Sequence, residues 1–160
     1  MWRARQLPRV RTAFATIWGT DDLLTSFDGA NVFRPWHARA EWRTQGGWYH
    51  VDQGAGKVGC HCVQALLCLT DATFHSGGLV VVPGSHTQHD ELRARLGHLE
   101  PLGRDFLPVP LNDPVLANGT LLVCARAGDL VLWDSRTVHC NAPGCDPSFE
   151  LFQPPMVLPP

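Results

Sequence analysis

The hydrophobic positions of this chain fall mostly in short runs closed by glycine or proline, the punctuation of β-structure rather than of a helix bundle. Residues 23–27 read as a strand entering the turn Asp28-Gly29. Gly46-Gly47 opens a second strand at 48–51, rich in aromatic and β-branched types. Residues 62–69 form an apolar run of strand length, expected to be central in a sheet. Gly77-Gly78 launches the run 79–82, which Pro83-Gly84 stops; this too is a strand. Beyond it, Thr87 with Asp90 resembles a helix capping box, and Leu92 and Leu96 at i and i+4 predict a short surface helix. Residues 97–119 hold four prolines and read as a long irregular insertion. Residues 121–125 and 130–133 predict a hairpin around Gly128-Asp129. The last segment, 146–160, has five prolines and is expected to hold little regular structure.

Composition narrows this pattern. A chain of 160 residues with 44% hydrophobic and 18% charged positions has the material for one domain with a sizeable core. That domain is expected over 11–145, ahead of the Pro-rich tail. A net charge of −2 argues against nucleic acid or an anionic membrane as partner. No apolar run approaches the roughly 20 residues of a membrane helix. A small molecule is the expected partner.

The six cysteines are unevenly spaced, and residues 1–19 lack the apolar stretch of a secretory signal. They read as reduced thiols in a cytoplasmic setting. The acid-free start carrying Arg3, Arg5, Arg9 and Arg11 leaves import into an organelle as the alternative. Cys60-x-Cys62 lacks the second cysteine pair of a zinc ribbon.

Candidate chemistry starts at His50-Val51-Asp52. On a strand, two-residue spacing aims imidazole and carboxylate at the same face, within reach of one ion. With a distant second histidine these are the parts of the facial triad that holds non-haem Fe(II). Alone the motif is weak, since composition makes such pairs common and His98-Leu99-Glu100 is another.

Context changes its weight. Gly47-Trp48-Tyr49-His50-Val51-Asp52-Gln53, then Gly77-Gly78-Leu79-Val80-Val81-Val82-Pro83-Gly84-Ser85-His86, then Gly128-Asp129-Leu130-Val131-Leu132-Trp133-Asp134-Ser135-Arg136-Thr137-Val138-His139 together resemble the phytanoyl-CoA dioxygenase family. The likeness runs in order from about residue 11 to residue 143. It implies a mainly all-β fold, the double-stranded β-helix or cupin-like jelly roll. It also implies Fe(II), with 2-oxoglutarate and O2 consumed and succinate and CO2 released as an organic substrate is hydroxylated. His50, Asp52 and His139 become the iron ligands and the catalytic centre. His86 marks a turn outside the cavity, and His37, His61, His75, His89 and His98 have no motif support.

One departure stands out. In relatives an arginine several residues past the distal histidine grips the far carboxylate of 2-oxoglutarate; after His139 this chain has no Arg or Lys. The chain looks like a fragment or short form whose last strand is missing. Arg136, Gln64 and Ser26 are the candidate substitutes for that contact, while Lys57 reads as solvated. Odd spacing from His139 would turn Arg136 away from the iron unless the strand bulges. Three functions follow: an oxygenase, an impaired relative acting as a metal-holding or binding module, or a cupin-type hydrolase or isomerase using Zn or Mn. The substrate-determining residues are expected within 97–119.

Overall fold

A computed structural model describes residues 2–26, 29–54 and 56–145. The chain divides into two compact units, Met1–Val32 and Phe33–Pro160. The tail 146–160 lies outside the described residues.

The first unit is helical. α1 (Trp2–Arg5) is followed by α2 (Pro8–Trp18), whose proline sits in the first turn, where its missing N–H leaves no bond unmade. Gly19, left-handed at φ 66°, ends α2 and donates its N–H to Ala15 O. The strand predicted at 23–27 is not there: residues 23–26 are irregular, and Phe27 and Asp28 lie outside the described residues.

The second unit is built of antiparallel strands, as a jelly roll requires. They are β1 (His50–Val51), β2 (Val63–Leu67), β3 (Gly77–Val81), β4 (Leu107–Pro108), β5 (Leu121–Leu122), β6 (Leu130–Asp134) and β7 (His139–Pro143). One sheet has the order β4-β1-β7-β3-β5, and β2 pairs with β6 in a second. Every pairing is antiparallel. At Gly77 an added Cβ would run into the Ala142 carbonyl on β7 (φ 74°), so only glycine fits that close approach. Among the described residues no helix is long and apolar enough to cross a membrane.

Val51, Val82, Leu92, Leu96, Leu107, Val109, Val115 and Val138 form the core. Leu92 and Leu96 reach it from α3 (His89–Leu96), as their spacing predicts. The capping box does not form, because a 3-10 turn over Ser85–Gln88 carries the chain straight into the helix. The Thr87 hydroxyl there donates to Gly84 O instead.

Three sequence-based expectations are corrected. Residues 97–119 are largely irregular yet not set apart from the core: Leu107 and Val109 alternate inward around β4 and Val115 joins them. β4 is an edge strand, where Pro108 removes no ladder bond. Residues 121–125 and 130–133 make no hairpin, since β5 pairs with β3 and β6 with β2. The Gly128-Asp129 turn is bonded to Cys68, past the end of β2, through Gly128 N–H to Cys68 O at 2.8 Å and Cys68 N–H to Asp129 O at 2.9 Å. Finally, among the described residues β2 has one partner strand and is not central.

Candidate metal centre

β1 and β7 pair with His50 opposite His139, which sets the two imidazoles side by side, ring centroids 4.3 Å apart. Asp52, two residues beyond His50, stays in line because its N–H donates to Ser135 O at 2.9 Å, just past the end of β6 (Leu130–Asp134). Its two carboxylate oxygens lie 3.4 Å from His50 Nε2 and 3.4 Å from His139 Nε2. One ligand atom from each of the three lies within 4.8 Å of the others.

The rings are held by their other nitrogens. Nδ1 of His50 is 3.2 Å from Trp48 O, and Nδ1 of His139 is 2.9 Å from Thr137 O. With Nδ1–H donating to those carbonyls, each Nε2 keeps its lone pair for the shared space, the usual orientation of a metal-ligating histidine. Trp48 stacks on His50 at 4.9 Å and Phe106 meets it edge-on at 6.2 Å, while the Trp133 ring edges His139 at 5.5 Å.

The electrostatics suit a cation. Burial alone would raise the Asp52 carboxyl, but His139, His50 and the Gln64 amide outweigh it and hold the group well below the usual carboxylate range. Two neutral imidazoles and one carboxylate fit a divalent first-row metal.

Residues that sequence reasoning missed hold this frame. Gln53 is fully buried; its Nε2 donates to Gly59 O at 2.8 Å, and its Oε1 accepts from Ser135 Oγ at 3.0 Å. Ser85 Oγ donates to Val82 O at 2.7 Å and accepts the Val138 N–H at 2.8 Å, tying the end of β3 to the approach to His139. Buried His89 lies 3.2 Å from Gln53 O. Gln53 and Ser135 adjoin recognised motif residues, so adjacency was the available signal. Nothing in the local pattern marks them as partners across 82 positions.

The three candidates for the far carboxylate fare differently. Arg136 is on the turn between β6 and β7, and its fork is taken up by Asp134: Nε to Oδ1 at 2.9 Å and Nη2 to Oδ2 at 2.6 Å. Burial would raise Asp134, yet Arg136 holds it down to about 2. Gln64 projects from β2 and donates its Nε2 to Asp52 Oδ2 at 2.6 Å, so its amide N–H orients that carboxylate. Ser26 sits exposed on irregular chain in the first unit, because the strand expected to carry it does not form. Lys57 is not simply solvated: it forms an ion pair with Asp105, which also accepts the Gly54 N–H at 2.9 Å. His86, half-buried on the 3-10 turn, is not part of the ligand cluster.

The fold and this cluster can be set beside known proteins. The family model described as "Phytanoyl-CoA dioxygenase (PhyH)" matches residues 3–143. The chain belongs to the phytanoyl-CoA dioxygenase family. Within it, the chain is 31% identical over 170 residues to "Ava biosynthesis cluster protein O" of Aspergillus versicolor. That match covers 90% of this chain and 50% of the relative, so the chain spans about half the relative's length. No solved structure matches. The matched span includes the whole His50, Asp52 and His139 cluster.

Proposed function

We propose that this chain carries the metal centre of an Fe(II)/2-oxoglutarate-dependent oxygenase that hydroxylates a small organic molecule, releasing succinate and CO2. The convergence of His50, Asp52 and His139 within 4.8 Å, in a chain of this family, carries the reading. The relative's name, a biosynthesis cluster protein, supports a small-molecule substrate. Iron bound with 2-oxoglutarate and O2 supplies the oxidising power for C–H hydroxylation. The protein's residues do the rest. His50 and His139 offer Nε2 lone pairs, and Asp52 offers a charge that offsets the cation. Gln64 fixes that carboxylate, and Trp48, Phe106 and Trp133 wall the imidazoles against water.

One observation favours a second reading. The Arg136 guanidinium is bound to Asp134, so this candidate is not offered to the far carboxylate of 2-oxoglutarate. A metal-holding or binding module that does not turn over is the alternative. Anaerobic Fe(II) titration followed by 2-oxoglutarate separates the two. A visible charge-transfer band that vanishes in His50→Ala, with succinate released on admitting O2, upholds the oxygenase. Iron binding without band or succinate means the module.

A further inference from the structure

Three side-chain polar atoms among the described residues are buried without a hydrogen-bond partner: Arg5 Nη1, Gln64 Oε1 and Trp133 Nε1. Arg5 is in the first unit, but Gln64 and Trp133 are direct partners on the β2–β6 ladder. Residues directly opposite on antiparallel strands project from the same face. Here that face looks onto the metal ligands. Gln64 Nε2 donates to Asp52 Oδ2 at 2.6 Å, and the Trp133 ring lies 5.5 Å from that of His139.

The orientation of Gln64 is fixed by chemistry. Turning the amide over would set its carbonyl oxygen against an ionised carboxylate, acceptor against acceptor. Oε1 therefore remains an open acceptor, and Nε1 of Trp133, the residue opposite on the ladder, an open donor. Leaving two buried polar atoms unsatisfied is unfavourable, which points to a group that completes them.

That group must donate and accept. A carboxylate, ketone or ether only accepts, so it would take the indole N–H and leave the Gln64 carbonyl unpaired. A hydroxyl does both, whether of an alcohol or of the water it would displace: its oxygen accepts from Nε1 and its hydrogen goes to Oε1. We propose that the Gln64–Trp133 rung recognises an alcohol hydroxyl of the organic substrate beside the metal. The class of substrate is thereby a small molecule that already carries a hydroxyl near the carbon to be oxidised. The proposal rests on the oxygenase reading for its metal and substrate.

The test uses the full chain loaded with Co(II), whose visible spectrum reports ligands near the ion. Cyclohexanol, cyclohexanone and methoxycyclohexane are titrated as matched probes. The expected result is that cyclohexanol acts at concentrations about tenfold or more below the other two. Trp133→Phe keeps a ring against His139 and loses the N–H. Compared at saturating Co(II), so that any change in metal affinity does not enter, it is expected to erase the alcohol preference. Should that variant not fold, the Trp133 indole N–H resonance of the wild-type chain decides, moving downfield with cyclohexanol. Equal binding of the three probes, an unchanged preference in Trp133→Phe, or an indole resonance indifferent to cyclohexanol overturns the proposal. If Co(II) binds while the preference is absent, this inference alone fails. If a folded wild-type chain takes up no Co(II), the metal reading fails with it.

Discussion

β3 and β2 are both five-residue strands rich in aliphatic side chains, and they do opposite work. β3 is paired on both sides, by β7 and β5, and four of its five residues are buried. β2 has one partner among the described residues, and none of its own residues is fully buried. The larger sheet supplies the core and carries two of the metal-ligand candidates in register. The smaller sheet supplies what touches those ligands: the Gln64 amide and the Trp133 ring. A rigid sheet thus sets the ligand positions, and a lighter one sets their surroundings.

If this division is right, mutations on the two sheets should separate stability from metal chemistry. The largest stability loss is expected from Leu107→Ala on β4, a fully buried core position. Unfolding in denaturant should show a cost of about 2–5 kcal/mol. Gln64→Leu on β2 should leave the unfolding midpoint nearly unchanged but weaken Fe(II) or Co(II) binding by about 10–100-fold, read by calorimetry. Equal damage to stability and to metal affinity in both variants would break the comparison.

Smaller effects sharpen it. Asp134 ends β6, and its carboxyl is held at about 2 against an unfolded value of about 3.9. A depressed carboxylate stabilises the fold above its unfolded pKa, and that contribution disappears as pH falls through the folded one. The wild-type chain should therefore lose about 1–2 kcal/mol between about pH 4 and pH 2 relative to Asp134→Asn. The variant should already be weaker by that amount at pH 7. Leu132→Thr, on the partly exposed side of β6, should shift stability by less than about 0.5 kcal/mol. A core-sized loss there would mean that the smaller sheet is covered.

The His50, Asp52 and His139 cluster was legible in the sequence because ordered motifs surround it. His50-Val51-Asp52 and His139 each sit within a run whose punctuation also marks a strand. What was not legible depends on long-range pairing. The 62–69 run looks central, since length and apolarity do not report how many partners a strand finds. Residues 97–119 look like an insertion because four prolines mask the Leu107/Val109 alternation that reaches the core. Residues 121–133 look like a hairpin because a Gly-Asp turn is a local signal, whereas their assignment to two sheets is not. Arg136 illustrates the same limit at the site. Its sequence distance from His139 said nothing of Asp134, two residues away, which occupies its guanidinium.

The central claim is that His50, Asp52 and His139 together hold one divalent metal ion. Anaerobic calorimetric titration of Fe(II) into the wild-type chain and into His139→Ala tests it most directly. The account requires one equivalent bound by the wild type and affinity reduced about 100-fold or more in the variant. A folded wild-type chain that binds no iron, or a variant that binds it equally well, would contradict it.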